Sequence, residues 1–158
     1  MEGLEFDEGA FFAAVAASGA RALLIGRRAL IALGVPVLTA DYDFWLHIDD
    51  VEKLNGALEP FGLVPSRDPA EARRSGRYVL ENGEHVDVLL GRVVPTIAGK
   101  RVAFDDVWTR RESIQVAPGI AIPVPYLDDL EDTKCFGARP KDAEDLRLLR
   151  ALRSRKEG

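Results

Sequence analysis

Two aspartates, Asp41 and Asp43, stand one residue apart in a mostly apolar and aromatic run over residues 38–46. Alternate side chains of an extended strand share a face, so both carboxylates point the same way. Neighbouring carboxylates repel each other, and the repulsion is costly beside apolar side chains unless a cation neutralises it. Their hard oxygen ligands suit Mg²⁺ or Mn²⁺, which bind one or two protein carboxylates together with substrate phosphates. The pair therefore indicates phosphoryl or nucleotidyl transfer.

A third candidate carboxylate, Asp87, lies in a second apolar run over residues 85–90. The dipeptide Asn82-Gly83 separates this run from an earlier one at residues 77–80, and Asn-Gly between two such runs is a strong hairpin signal. The pattern therefore predicts a β-hairpin whose second strand carries Asp87.

Length and composition are typical of a single globular domain. The 158 residues contain no repeat or linker, and no apolar run approaches the roughly 20 residues of a membrane span. The formal charge of −5 argues against a generally basic nucleic-acid-binding surface. Two histidines and one cysteine are too few for a zinc site, and the acidic N-terminus is unlike a secretory signal. We expect one cytoplasmic domain, residues 1–158, without zinc and without a membrane partner.

The rest of the pattern predicts strands that alternate with helices. A buried strand at residues 22–25 precedes Gly26 and a helix at residues 27–33, and the strand with the two aspartates covers residues 41–47. Further helices are predicted at residues 49–58, 127–136 and 141–153, and a further strand pair within residues 114–124. These elements favour an α/β or α+β fold with one mixed β-sheet, flanking helices and a C-terminal helical pair.

Three stretches follow one another in a recognisable order. Gly26 opens a helix after a strand, and Asp41 and Asp43 lie in the next strand. Asp87 then lies in its own apolar strand, and the stretch over residues 126–146 closes the series. In this order they resemble the nucleotidyltransferase superfamily, which has the DNA polymerase β-like fold. The last stretch resembles the C-terminal signature of its small bacterial AbiEii-like branch, the minimal nucleotidyltransferases.

The resemblance implies transfer of a nucleoside monophosphate from an NTP to a hydroxyl, with Mg²⁺ or Mn²⁺ as cofactor. Asp41, Asp43 and Asp87 would be the catalytic and metal-binding carboxylates, since two ions about 4 Å apart can hold the attacking and leaving oxygens of an in-line displacement. Asp87 would also take the proton of the hydroxyl. Relatives modify proteins, RNA 3′ ends or small hydroxylated molecules such as aminoglycosides. The resemblance thus implies a protein or RNA acceptor and a toxin or antitoxin partner.

The resemblance also implies nucleotide binding, and here the chain departs from its relatives. Gly26 would let the backbone approach the triphosphate. The family usually has a small Ser or Gly at the next position, which is Arg27 in this chain. Its guanidinium can bind phosphate oxygens, pair with the aspartates in place of a metal, or lie exposed. The implied nucleotide-binding residues are Gly26, Arg27, Lys134 and Arg139, with Asp142 and Asp145 in supporting roles.

Arg27 also supports a rival hypothesis from another class. An arginine that neutralises Asp41 and Asp43 would exclude the ion. The chain would then be a catalytically degenerate nucleotidyltransferase fold that serves as a binding module. Whether the protein binds Mg²⁺ and ATP separates the two hypotheses.

Overall fold

The computed structural model describes residues 6–137 and 139–157. Its helices are α1 (Glu8–Ala17), α2 (Gly26–Ala32), α3 (Val51–Leu58), α4 (Pro69–Ser75), α5 (Phe104–Thr109), α6 (Leu127–Thr133) and α7 (Pro140–Glu157). Its strands are β1 (Ala22–Ile25), β2 (Asp41–Leu46), β3 (Val64–Pro65), β4 (Arg77–Glu81), β5 (His85–Leu89), β6 (Val93–Pro95), β7 (Arg101–Ala103), β8 (Glu112–Ala117) and β9 (Ile120–Val124). Among these residues no helix has both the length and the apolar character needed to cross a membrane.

Five strands form the central sheet, in the order β1-β2-β5-β4-β3. β2 and β5 are parallel, and the other neighbouring pairs are antiparallel. The sheet is therefore mixed and flanked by helices, which confirms the predicted α/β architecture. The predicted hairpin of β4 and β5 is also confirmed, with Gly83 in its turn at a φ of 107°. The parallel pairing of β2 with β5 joins segments about 40 residues apart in the chain, and it sets the positions of the aspartates.

One face of the central sheet forms the main hydrophobic core. Tyr42, Phe44 and Leu46 of β2 point into this core and are almost fully buried. Helix α1 covers them, with the ring of Phe11 centred 4.8 Å from the ring of Tyr42. Because side chains alternate along a strand, this arrangement leaves the aspartates of β2 on the opposite face.

The opposite face of the sheet is covered by apolar side chains at one end only. Leu23 and Trp45 pack there against Val102, Phe104 and Val107, in a second and smaller core. Trp45 is therefore a core residue and is not available as a platform for a base. The other end of the face is lined by acidic side chains and opens onto a cavity.

The sheet organisation differs from the prediction of one mixed sheet. β8 and β9 form a separate two-stranded sheet, and β9 packs against α1 and β1 instead of pairing with the central strands. β6 and β7 form another two-stranded sheet, and neither these strands nor α5 were predicted. Each of the two strands has three residues, which is too short for a periodic pattern to be read from the sequence.

The C-terminal helical pair is confirmed, with different boundaries. Helix α6 ends at Thr133, so Lys134 caps its C-terminus instead of lying inside a helix that reaches residue 136. Helix α7 continues to Glu157, beyond the predicted end at residue 153. One ion pair that joins the two helices runs from Arg153 to Glu131, at 3.0 Å. This contact lies near the predicted end of α7 and helps to explain why the helix continues there.

Candidate functional site

Parallel pairing places two carboxylates side by side. Asp43 of β2 lies directly across from Asp87 of β5, and Asp41 lies across from His85 in the same register. Neighbouring strands are about 4.8 Å apart, and residues directly across from each other share a face of the sheet. The structure therefore places Asp43 and Asp87 side by side, whereas Asp41 lies on the same face of β2, two residues from Asp43.

The absence of a side chain at Gly26 leaves space for Asp43, one member of this pair. Gly26 follows Ile25, which lies across from Asp43 on the antiparallel strand β1. Its φ is +70°, in the left-handed region, and a Cβ atom added there would lie 2.9 Å from both Cβ and Cγ of Asp43. The position thus requires glycine because the backbone closely approaches Asp43. The resemblance implied that this glycine lets the backbone approach a triphosphate, whereas the close approach in the structure is to the Asp43 side chain.

The surroundings of Asp43 favour the neutral form of its carboxyl group over the charged form. Burial above all, and then the charges of Asp87 and Asp41, raise the pKa of its carboxyl to about 6, although Lys134 and Lys141 act in the opposite direction. A carboxyl that is held partly protonated by its neighbours gains its full charge when a cation arrives. The electrostatics of the pair therefore fit a divalent cation.

The protein ligands available for a divalent cation are fewer than the three carboxylates that the resemblance implies. No group of three or more His, Cys, Asp or Glu side chains in the described part of the chain is gathered closely enough to hold a metal ion. Two neighbouring carboxylates remain, and Mg²⁺ bound together with nucleotide phosphates takes only one or two carboxylates from the protein. Asp43 and Asp87 match that requirement, and Asp41 is on the same face beside them.

The carboxylate pair lines a cavity of about 700 Å³. Asp43 and Asp87 belong to its wall, whereas Asp41 is not among the described residues that line it. Facing walls come from the start of α2, the segment between α6 and α7, and the junction of α4 with β4. Among the described residues, five cationic side chains line the cavity: Arg27, Arg77, Lys134, Arg139 and Lys141. Three carboxylates from this part of the chain do so as well, since Asp142 joins the pair.

A buried carboxylate holds two of these cations. Asp145 of α7 has no exposed surface, and its Oδ2 lies 2.7 Å from the Lys134 Nζ atom. Its Oδ1 accepts a hydrogen bond from Arg27 Nε at 3.2 Å. A buried charge must be paired, and here one carboxylate serves two cations that come from different ends of the chain. Asp145 thus ties α2 and the end of α6 to α7 at the cavity wall.

A second buried carboxylate, Asp142, holds Arg139. The Nε and a terminal nitrogen of Arg139 donate to the two oxygens of Asp142 at 3.0 and 3.1 Å. Burial acts to raise the pKa of Asp142, but the hydrogen bonds and charge of Arg139, with Lys134, outweigh it and lower that pKa. Asp142 therefore remains a carboxylate that fixes the guanidinium in the forked geometry.

The structure distinguishes the three roles that the sequence left open for Arg27. Its Nε bonds to Asp145, and its terminal nitrogen donates to the carbonyl oxygen of Leu38 at 3.2 Å. Its ion pairs in the described structure are with Asp145 and Glu144, not with the aspartates of β2. Its side chain is 20% exposed and lines the cavity. Arg27 is therefore a cation at the cavity wall whose guanidinium is fixed by hydrogen bonds to Asp145 and to the carbonyl of Leu38.

Sequence analysis missed the surroundings of Asp87. It considered His85 only as one of two histidines, too few for a zinc site, and the structure places its Nδ1 2.8 Å from Glu81 Oε2. Its Nε2 also lies 3.2 Å from Asp87 Oδ2. The hydrogen bond with Glu81 above all, and the charge of Asp87, raise the pKa of the His85 ring against the effect of burial. The two-residue spacing of His85 and Asp87 on one strand was the available signal.

No protein-family model and no curated protein matches the chain. Solved structures do. The Thermotoga maritima protein TM1012, assigned as a nucleotidyltransferase, is similar over 87% of this chain and 86% of its own, at 16% identity and a TM-score of 0.59. The lincomycin-bound lincosamide antibiotic adenylyltransferase LnuA is similar over 94% and 99%, at 13% identity and a TM-score of 0.61.

The antibiotic-resistance factor ANT(2'')-Ia is also similar, over 95% of this chain and 89% of its own, at 14% identity and a TM-score of 0.61. Each of the three similarities covers at least 87% of this chain. At these sequence identities a structural likeness establishes the fold. The chain has the nucleotidyltransferase fold.

Proposed function

We propose that the protein is a Mg²⁺-dependent nucleotidyltransferase that moves a nucleoside monophosphate from an NTP to a hydroxyl and releases pyrophosphate. One observation supports this most. Asp43 and Asp87 stand side by side in the wall of a cavity that five cationic side chains also line. A divalent ion between the carboxylates and a polyanion against the cations would neutralise both sets of charges.

Asp43 and Asp87, with Asp41 beside them, would hold Mg²⁺ or Mn²⁺. A metal ion held there would supply the positive charge that neutralises the phosphates during an in-line displacement. Asp87 accepts the proton of the acceptor hydroxyl as the new bond to the α-phosphorus forms. The bond between the α-phosphorus and the bridging oxygen breaks, and pyrophosphate carries the electron pair away.

The cations of the cavity wall bind the triphosphate. Arg27 and Lys134 are both held by Asp145, and Arg139 is held by Asp142, so these side chains lose little freedom when phosphate arrives. Guanidinium groups bind phosphate oxygens bidentately, and Lys134 acts as a point charge. Gly26 contributes by leaving space for Asp43, which would otherwise be displaced.

The charge of the cavity supports an acceptor that is not a polycation. Cationic side chains in the wall outnumber carboxylates by five to three. We therefore propose a hydroxyl of a protein or an RNA as the acceptor, in keeping with the AbiEii-like resemblance and a toxin or antitoxin partner. LnuA and ANT(2'')-Ia, by their names, concern antibiotics. An aminoglycoside would bring several positive charges to a wall that is already cationic.

The pairing of Arg27 also bears on the rival hypothesis of a binding module. That hypothesis rested on an arginine lodged between Asp41 and Asp43. Arg27 bonds instead to Asp145 of α7. The two aspartates are thus left for a cation, which favours the enzyme.

The test is transfer of label from NTPs to acceptors in host lysate with Mg²⁺. Parallel reactions carry the label at the α-phosphate or the γ-phosphate. We expect α-label on an acceptor and γ-label in pyrophosphate, with loss of both in Asp43→Asn. The matched control is Asp106→Asn, which removes an exposed carboxylate outside the cavity wall. Transfer of γ-label to an acceptor, or equal activity of Asp43→Asn, would contradict the proposal.

A further inference from the structure

Four of the five cations that line the cavity come from α2 or from the segment around the start of α7. Arg27, Lys134 and Arg139 are each paired with a buried carboxylate of α7. Lys141 lies in the first turn of that helix. The fifth cation, Arg77, is the first residue of β4. It therefore has a different position in the fold and needs a separate explanation.

The guanidinium of Arg77 is unpaired within the described part of the chain. The backbone carbonyl of Arg77 accepts hydrogen bonds from Arg67 and from Ser75 Oγ, at 2.6 and 3.0 Å, so its backbone is held. Its side chain is exposed and forms no ion pair or hydrogen bond with a described residue. A guanidinium that lines a cavity without a partner is free to bind an anion there, and its fork matches two phosphate oxygens.

The carboxylate pair lies between Arg77 and Arg27. The strand order is β1-β2-β5-β4, with Gly26 and Arg27 directly after β1 and Arg77 at the start of β4. Asp43 and Asp87 belong to the two strands in between. Neighbouring strands are about 4.8 Å apart, so β1 and β4 are about 14 Å apart. Arg77 and Arg27 are therefore on opposite sides of the proposed metal site.

Arg77 is close enough to Asp87 for one substrate to contact both. Leu89 lies directly across from Arg77, and Asp87 precedes Leu89 by two residues on the same face of β5. Such diagonal neighbours on antiparallel strands are about 7–8 Å apart, which is within reach of a long side chain. Leu89 also lines the cavity, together with the apolar side chains of Val94 and Phe136. The cavity thus offers a carboxylate, an unpaired guanidinium and an apolar surface to one substrate.

The direction of the proposed reaction assigns this side of the cavity to the acceptor. In an in-line displacement the attacking hydroxyl and the leaving pyrophosphate are on opposite sides of the α-phosphorus. Arg27 and Lys134 would hold the phosphates that leave, so the hydroxyl approaches from the side of Asp87 and Arg77. Asp87 is also the group that would accept the proton of this hydroxyl.

We propose that Arg77 is a specificity-determining residue that binds a phosphate of the acceptor. The acceptor is then a ribose hydroxyl whose own nucleotide carries a phosphate, as at the 3′ end of an RNA. A single sugar thereby presents its hydroxyl to Asp87 and its phosphate to Arg77, whereas a protein serine, threonine or tyrosine has no anionic group of its own. This inference rests on the proposed function and narrows its acceptor to a nucleotide unit. The formal charge of −5 fits recognition of one terminal phosphate and not of a long strand.

The first arm of the test is binding of a fluorescent RNA tetranucleotide with a free 3′ hydroxyl, measured by anisotropy with Mg²⁺ and a non-hydrolysable ATP analogue. A second RNA has a neutral methylphosphonate as its last linkage. We expect the wild-type protein to bind the neutral RNA about 10–100-fold more weakly than the natural RNA. Arg77→Gln should bind both RNAs equally weakly.

Arg74→Gln is the matched control for this binding. Arg74 is an exposed arginine of α4, three residues before Arg77, and it is not among the described residues that line the cavity. Its substitution should leave the difference between the two RNAs as in the wild type. If the neutral linkage weakens binding equally in the wild type and in Arg77→Gln, or if the wild type binds neither RNA, the proposal is overturned.

The second arm is nucleotidyl transfer to the natural RNA, to cytidine 5′-phosphate and to cytidine. Arg77→Gln should raise the KM for the acceptor about 10–100-fold and leave the KM for NTP unchanged. Arg77→Lys should recover part of this loss, because it keeps the charge. Transfer to the RNA alone identifies an RNA end as the acceptor, and transfer to cytidine 5′-phosphate as well identifies any nucleotide. Equal use of cytidine, or an effect of Arg77→Gln confined to the KM for NTP, overturns the proposal.

Calorimetry of ATP binding with Mg²⁺ separates the possible failures. Arg77→Gln should bind ATP as the wild type does, because Arg77 lies on the acceptor side. A wild-type protein that binds no ATP with Mg²⁺ and transfers no label overturns the proposed function. If the two RNAs are nevertheless distinguished through Arg77, the phosphate site stands and the failure lies in the function. Label that goes only to proteins leaves the proposed function standing and overturns the role of Arg77.

Discussion

Asp43 and Asp87 lie directly across from each other on neighbouring parallel strands, so neither carboxylate ionises without repelling the other. Burial above all, and then this repulsion, raise the pKa of Asp43 to about 6. The metal-free protein thus carries an electrostatic cost at the place where the proposed function needs a cation. Several consequences of this arrangement can be measured.

The stability of the metal-free protein should depend on Asp43 and on pH. The folded pKa of about 6 lies above the ordinary aspartate pKa of 3.8, so between these values the folded chain keeps a proton that the unfolded chain releases. The native state therefore loses stability as pH rises from about 4 through 6. We expect Asp43→Asn in EDTA to raise the free energy of unfolding by about 1–3 kcal/mol at pH 7 and by little at pH 4.

Denaturant unfolding at the two pH values measures this difference, with Asp106→Asn as the control. Asp106 is exposed on α5, so its substitution should change stability equally little at both pH values. If Asp43→Asn raised the free energy of unfolding equally at pH 4 and pH 7, the role of charge repulsion would be contradicted.

Gly26→Ala should displace the Asp43 side chain in addition to straining the backbone at position 26. Alanine at a φ of +70° costs about 1–3 kcal/mol, and its Cβ would also lie 2.9 Å from the Cβ and Cγ of Asp43. Gly19→Ala is the matched control, because Gly19 has a φ of +77° and no atom within 4 Å of the added Cβ. We expect the Gly26 variant to unfold more easily than the Gly19 variant and to lose Mg²⁺ binding. Equal losses of stability would argue against the close approach to Asp43.

We expect Asp145 to stabilise the cavity wall by pairing with two of its cations. It is fully buried between Lys134 and Arg27, and removing one partner of a buried ion pair costs about 3–5 kcal/mol. We expect Asp145→Asn to lose stability of this order and to bind NTP more weakly. Lys134→Gln added to Asp145→Asn should recover part of the stability, since no buried cation is then left unpaired.

Glu144→Gln provides the control for Asp145. Glu144 lies on the same helix at 3.9 Å from Arg27, but it is 53% exposed. Its substitution should change the free energy of unfolding by no more than about 0.5 kcal/mol. A double variant that is less stable than the sum of its single variants would contradict the pairing of Lys134 with Asp145.

Arg27→Ser tests whether this arginine helps or hinders the nucleotide. It restores the small residue that relatives have, and Lys134 still pairs with Asp145. We expect ATP to bind about 10–100-fold more weakly, since a charge-assisted hydrogen bond is worth about 1.5–3 kcal/mol. Arg27→Lys should bind with intermediate affinity, because it keeps the charge and loses the fork. Tighter binding of ATP by Arg27→Ser, measured by calorimetry, would show that Arg27 obstructs the site.

Local patterns in the sequence predicted much of the fold. Alternation placed Asp41 and Asp43 on one face, and the Asn82-Gly83 dipeptide predicted the hairpin that carries Asp87. Both features depend on residues close together in the chain. The parallel pairing that puts Asp43 beside Asp87 depends on packing of the whole domain, and only the resemblance to a family indicated it.

The partners of the cations could not be predicted from local sequence. Arg27 and Asp145 are separated by 118 positions, and nothing near Arg27 distinguishes Asp145 from the aspartates of β2 as its partner. The strands β6 and β7 were missed because three-residue strands show no measurable period. The contact of His85 with Glu81 was missed because it depends on the register of β4 against β5.

Binding of Mn²⁺, followed by electron paramagnetic resonance with and without a non-hydrolysable ATP analogue, tests the central claim most directly. We expect the wild-type protein to bind Mn²⁺ and to bind it more tightly when the analogue is present. Asp43→Asn and Asp87→Asn should each lose this binding, while Asp106→Asn should keep it. Equal Mn²⁺ binding by all four proteins, or ATP binding that is unaffected by EDTA, would contradict a metal-dependent nucleotide site at Asp43 and Asp87.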